Sequence, residues 1–259
     1  PMRKIPLIFS GIVAVIVLLV ACSKADTPAT GGNVFTAVAA AFGTQIDLNN
    51  LANYAAQPKP AYIAKDNTGN NPITNAKATL GRVLFYDKKL SIDNTISCAS
   101  CHKQAFAFSD TALISSGVAS GLTDRHSMRL VNERFGVEAK FFWDERAANL
   151  ESQTTQPIAD HKEMGFSGQT GRANIAALLA KLQATDYYNE LFKFTYGDIA
   201  VTEPRLQECL GQFIRSIQSF DAKYDVGRAQ VNNDRQPFPN FTAQENTGKD
   251  LFLTPPVFD

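Results

Sequence analysis

Excess charge of either sign is missing from this 259-residue chain, in which 25 Lys and Arg are matched by 25 Asp and Glu. Zero net charge creates no basic field, which excludes nucleic acid as a partner. Cysteine is scarce: 4 residues are too few for a disulfide scaffold, and two of them stand three positions apart, as in a site rather than a staple. No phosphate-cradling glycine loop, nucleophile elbow or internal repeat occurs, so nucleotide chemistry, serine hydrolysis and solenoid architecture drop out. Strand-type alternation is rare as well. Apolar runs of membrane-spanning length are limited to one, residues 5–21, at the short limit for a transmembrane helix and normal for a signal-peptide core.

That run follows Arg3 and Lys4 and ends in Leu19-Val20-Ala21-Cys22, which resembles the lipobox of bacterial lipoproteins. The expectation is a cleaved signal peptide over 1–21, lipidation of Cys22, and export to the periplasm with the chain held on a bacterial membrane by the lipid. Residues 22–33 are small and polar, as a flexible tether should be. An Ala-rich stretch over 34–54 reads as one or two short helices and opens a helical extension expected over 34–71.

Beyond it the signals are helical. Ile175, Leu178, Leu179 and Leu182 fall at helical spacing, and Leu206, Cys209, Leu210, Phe213, Ile217 and Phe220 repeat that pattern over four turns. Thr202 with Pro204 supplies start chemistry for the second of these helices, and Gly197 a stop for the one before it. Thr242-Ala243-Gln244-Glu245 has capping-box spacing and opens a last helix. The expected fold is all-α with long loops. Cys209, on the apolar stripe of its helix, is expected to be a buried structural thiol.

Chemistry enters at Cys98-Ala99-Ser100-Cys101-His102, the attachment signal for haem c. Two thiols one helical turn apart can add to the two vinyl groups of one porphyrin, and the next imidazole is placed under the iron. A structural zinc site would need a fourth ligand, a redox dithiol would sit beside a βαβ pattern, and a plain disulfide would leave His102 unexplained. The other face of the iron decides between electron transfer and reaction with a small molecule. Met164, 62 residues after His102, His126, 24 after it, and His161 are the residues able to close that face, and spacing does not choose among them.

Further residues surround this motif: Leu80-Gly81-Arg82-Val83-Leu84-Phe85-Tyr86-Asp87, Ile96-Ser97, Phe106 to Asp110, Phe142-Trp143-Asp144, Arg146-Ala147, Leu150 to Gln153, Pro157 and Glu163-Met164-Gly165. Together they resemble the bacterial di-haem cytochrome c peroxidase/MauG family from about residue 72 onward. The resemblance implies a cytochrome-c-like peroxidatic haem domain over 72–240, with residues 241–259 opening a second such domain that would carry a second haem. It implies that Cys98, Cys101 and His102 hold the haem that meets hydrogen peroxide, with electrons arriving from a small cytochrome c or cupredoxin. Trp143 matches a tryptophan between the two haems, Glu163 the acid at the open haem face, and Gln153 a polar residue of the same pocket. Met164 is then a packing neighbour.

Two departures qualify the likeness. The loop that often carries a distal His reads Ser116-Gly117-Val118-Ala119-Ser120-Gly121 and has none, so the iron face is expected to be open, with His126 the remaining distal candidate. His126 also stands where the family often has an Asn that helps bind calcium. That ion takes oxygens, which counts against calcium as a second cofactor. The leading expectation is an exported haem peroxidase. A MauG-like oxidase that modifies a protein side chain and a mono-haem electron carrier with a His102/Met164 iron are the alternatives.

Overall fold

Ten α-helices, joined by long loops, make up the computed structural model among its described residues, 34–136 and 140–254. The expected leader, the tether, Cys22 and the last five residues lie outside these ranges. The helices are α1 (Thr36–Phe42), α2 (Asn75–Tyr86), α3 (Cys98–Cys101), α4 (Leu150–Thr154), α5 (Gln156–Ala159), α6 (Ile175–Gln183), α7 (Asp186–Tyr196), α8 (Glu203–Arg215), α9 (Lys223–Arg228) and α10 (Ala243–Leu253). Extended structure among the described residues is limited to four isolated bridges, each pinching a loop. None of the helices described is long and apolar enough to cross a membrane.

The core is built on α2 against α8. On α2, Leu80, Val83, Leu84 and Phe85 are buried, and they meet Leu206, Cys209, Leu210 and Phe213 of α8 in one cluster. The helices approach so closely that a Cβ on Gly81 would stand 1.9 Å from the Cys209 carbonyl oxygen, so only glycine fits there. Each helix starts where its cap permits. The hydroxyls of Thr74 and Thr202 accept from Lys77 N and Arg205 N, and Thr242 and Glu245 close the expected capping box on α10.

Two stretches depart from the expected pattern. Helix α8 stops at Arg215, a turn before the apolar spacing ends. Past it, the Ile217 carbonyl accepts from Asn132 N, and the Asn132 side chain brackets Ser219 with two further bonds, so backbone pairing with a loop replaces the last turn. Residues 34–54 give only α1 and a short 3₁₀ turn, and 46–74 run on as turns with no helix. Ile46 and Leu48 are buried from non-helical backbone, and Asn49 N donates to the Asp47 side chain, which fixes a local turn. Helix α1 itself is held from outside: Glu190 on α7 accepts from Ala37 N and Val38 N, doing the work of an N-cap from another element.

A buried polar network fastens the 67–74 loop to the core. Arg215 forks onto both carboxylate oxygens of Glu151 and donates to Asn67; Gln212 donates to Asn71 and accepts from Thr74 N. Arg215 and Gln212 are almost fully buried, and every partner they need is present.

Candidate functional site

Helix α3 is a single turn, and its sequence explains why so short a helix holds. Ser97 and Ser100 form a reciprocal cap, Ser97 N donating to Ser100 Oγ at 3.0 Å. Both Cys98 and Cys101 are free thiols one turn apart, and His102 N closes the turn on Cys98 O at 2.8 Å. The His102 ring is fixed by Nδ1–H donating to the Phe108 carbonyl at 2.9 Å, with the Met128 backbone also close to the ring. Burial holds the imidazole below its ordinary pKa and therefore neutral, as a ligand must be. The Phe108 carbonyl is offered by a tight hairpin in which Ala107 and Phe108 take left-handed φ values, clamped by the Lys103–Ser109 bridge. Asp110 anchors this hairpin: it accepts from Lys103 Nζ, Ser115 Oγ and Thr111 N, and these donors outweigh its burial and hold its carboxyl well below the carboxylate range.

All three residues open on one cavity of about 490 Å³, within the range of cofactor pockets. Phe85, Leu130, Leu150, Met164, Leu210 and Ile214 give it apolar walls, and Trp143, Gln153 and Glu163 line the same space. Two free thiols one turn apart, a neutral imidazole beside them and a chamber with apolar walls fit a covalently attached haem. Among the described residues, no group of three or more His, Cys, Asp or Glu gathers to hold a bare metal ion.

Glu163 is a half-buried acid on the wall of this cavity. Burial first, and then the charge of Asp160, push its carboxyl up to about 7, while Arg146 pulls the other way. Its backbone is held rigidly. Glu163 N donates to Asp160 Oδ1, and the Glu163 carbonyl accepts from Val118 N of the 116–121 loop. That loop lies flat on the Glu163 strand because Gly117 and Gly121 have no side chains: a Cβ would stand 1.9 Å and 2.6 Å from Lys162 O, respectively. The positions where a distal His was sought thus serve as a backbone support for the acid.

His126 does not take the distal role considered for it. Its Nδ1 is bonded to Ala112 O at 2.9 Å and its Nε2 to Ser109 Oγ at 3.1 Å, so neither ring nitrogen is free for iron. Its main chain does have a use, since the His126 carbonyl accepts from Trp143 Nε1 at 2.9 Å and holds the indole, 59% exposed, at the cavity wall. Around it, Asp144 accepts from Arg125 and Arg146, and these bonds pull its carboxyl down to about 2. Gln153 lines the cavity from α4, Met164 is buried in the core beside it, and Cys209 is fully buried with its sulfur 3.2 Å from the Tyr196 hydroxyl. One cavity residue had no sequence signal beyond being a lone acid between Leu130-Val131 and Phe135: Glu133, whose carboxyl burial pushes up.

Comparison with known proteins places this site. The chain is 32% identical over 156 residues to the methylamine utilization protein MauG of Methylophilus methylotrophus, covering 60% of this chain and 44% of that one. It is 30% identical over 148 residues to the cytochrome c551 peroxidase of Nitrosomonas europaea, covering 57% and 42%. Among solved structures, a MauG-like protein associated with microbial copper homeostasis superposes with a TM-score of 0.60 at 28% identity, over 76% of this chain and 54% of that one. The chain spans about half the length of the curated relatives it matches. The family model described as di-haem cytochrome c peroxidase matches residues 75–233, from the start of α2 past the end of α9. With more than half of its length matched in this way, and the attachment turn and its cavity inside the match, the chain belongs to the di-haem cytochrome c peroxidase family.

Proposed function

We propose that this chain carries the peroxide-reducing haem domain of an exported di-haem peroxidase, with a second haem in the whole protein and electrons supplied by a small cytochrome c or cupredoxin. One observation carries the reading. A carboxyl tuned to about 7 lines the same cavity as two free thiols and an oriented imidazole. Haem attached here supplies an iron that binds peroxide and accepts electrons. Cys98 and Cys101 would hold it as thioethers, and His102 would ligate its iron.

Glu163 does the proton work. Its carboxylate would take the proton from one peroxide oxygen and return it to the other, which could then leave as water, with bound haem supplying the electrons for O–O cleavage. The apolar walls exclude bulk water, and Gln153 offers an amide to orient the peroxide. Trp143 occupies the cavity's outer wall, where an aromatic ring can pass electrons inward from a donor. The leader over 1–21 and Cys22 support a lipid-anchored, periplasmic form, the compartment in which haem c is attached. The proposed domain limits remain 34–71, 72–240 and 241–259.

The MauG relatives favour a second reading, in which the same cavity oxidises a side chain of a partner protein. The test is optical. Ferric protein that is high-spin and changes its haem spectrum on mixing with hydrogen peroxide supports both enzyme readings, and turnover with a reduced small cytochrome separates the first from the second. A low-spin, six-coordinate haem inert to peroxide returns the chain to the His102/Met164 electron carrier.

A further inference from the structure

Neighbouring residues on a helix point in different directions, so two consecutive side chains rarely share a partner. Tyr187 and Tyr188 on α7 do. Tyr187 donates to Asp87 Oδ2 at 2.6 Å, and Tyr188 donates to the same oxygen at 2.8 Å, with the two ring centroids 4.7 Å apart. Asp87 caps the end of α2, two residues after Phe85 of the cavity wall. Tyr188 is completely buried in the same core cluster as Phe85 of the cavity wall, and Cys98 packs against that cluster. Tyr187 is only half-buried and meets Phe42 at 5.1 Å. Burial and the Asp87 charge keep both phenols protonated, far above their ordinary range.

A third tyrosine on this helix, Tyr196, also donates to a carboxylate, Glu208 at 3.1 Å, but two cations cover its ring. Tyr196 is reached through Phe192, at centroid spacings of 6.4 and 6.0 Å. Over its ring stand Lys77 Nζ at 5.2 Å and the Arg205 guanidinium at 4.4 Å. Two cations bound to a ring oppose removal of an electron from it. At the Tyr187 and Tyr188 pair no cation stands over either ring among the described residues, and the carboxylate hydrogen-bonded to the protons that must leave favours electron removal unopposed.

We propose that Tyr187, Tyr188 and Asp87 form a one-electron oxidation site, an outlet for oxidising equivalents that hydrogen peroxide leaves in the haem cavity when no donor protein is bound. This rests on the peroxide reading above. Tyr188 gives one electron to the oxidised cavity, its O–H bond breaks, the proton passes to Asp87 Oδ2, and a neutral phenoxyl radical remains. Tyr187 then gives an electron to Tyr188 and its own proton to Asp87, which returns the first proton to Tyr188. A small one-electron reductant in solution, such as ascorbate, gives Tyr187 an electron, and the proton held on Asp87 returns to the Tyr187 oxygen. One peroxide takes up two electrons, with two protons from solvent, so two such passages complete its reduction to two waters.

The experiment is rapid-freeze electron paramagnetic resonance of haem-loaded ferric protein mixed with one equivalent of peroxide and no donor, with and without ring-deuterated tyrosine. A radical signal that narrows with the label is expected. It should fall at least tenfold in Tyr187→Phe/Tyr188→Phe and stay unchanged in Tyr196→Phe. Asp87→Asn, which keeps an acceptor oxygen but not a proton acceptor, should also weaken it severalfold, and serves if the double variant fails to fold. A tyrosyl signal of full size in the double variant or in Asp87→Asn overturns the assignment. So does a haem spectrum that responds to peroxide with no tyrosyl radical. A haem spectrum that does not respond at all overturns the peroxide reading together with this one.

Discussion

Replacing Glu163 by Gln tests the chemistry most directly, because the structure supplies both a pKa and its cause. With the carboxyl at about 7 and the ionised form as the group that accepts the peroxide proton, the competent fraction is about 3% at pH 5.5 and about 97% at pH 8.5. The rate of the first reaction with limiting peroxide should therefore rise about 30-fold across that interval. Stopped-flow recording of the haem absorbance from pH 5 to 9 reads it. Glu163→Gln keeps the shape of the side chain and cannot take a proton, so its rate should be lower by about 10²–10⁴ and flat with pH. A control separates Glu163 from any other titrating group. Asp160 raises the Glu163 pKa through its charge, so Asp160→Asn, which can still accept from Lys162 N and Glu163 N, should move the wild-type midpoint to lower pH. A midpoint that survives in Glu163→Gln, or that ignores Asp160→Asn, refutes the assignment.

Two further expectations concern the scaffold. Gly117→Ala puts a Cβ against Lys162 O, and should cost about 1–3 kcal/mol or more by urea unfolding and displace the Glu163 midpoint; wild-type stability would show that the loop does not support the acid. Arg215→Met strands the Glu151 carboxylate and should cost about 3–5 kcal/mol, most of it recovered when Glu151→Leu is added; additive losses would refute the pairing. Burial raises the Glu151 pKa, but Arg215 and Asn71 more than offset it and hold the carboxyl low. The pair's contribution is therefore present above the pKa of an unfolded Glu and is lost as pH falls through the lower folded value, a slope that Glu151→Leu/Arg215→Met should lack.

What could be read in advance was whatever a covalent or local rule enforces. The Cys98–His102 spacing is dictated by the porphyrin it fits, and the caps at Thr202 and Thr242 are decided within three residues. Such rules need no knowledge of the rest of the chain. What could not be read depends on partners distant in sequence. The ring nitrogens of His126 are taken by Ser109 and Ala112, residues reached only through the folded hairpin. The end of α8 is set by Asn132 on a loop more than 80 residues earlier, and α1 is capped by Glu190. Glu163 and Glu133 look alike as letters, and burial, joined at Glu163 by the charge of Asp160, distinguishes them from a solvated acid. The local turn at Cys98–Cys101 and the helix caps were therefore legible, while the burial of the acids around them was not.

Trp143 is the sole tryptophan of the chain, and it stands on the wall of the cavity that would receive the haem. All indole fluorescence of this stretch of chain therefore originates on the wall of that cavity. Porphyrin absorbs where indole emits, so the emission should be bright in chains that have yet to acquire haem and dark in those that have. The molecule carries its own optical gauge of maturation, readable without a label and without turnover.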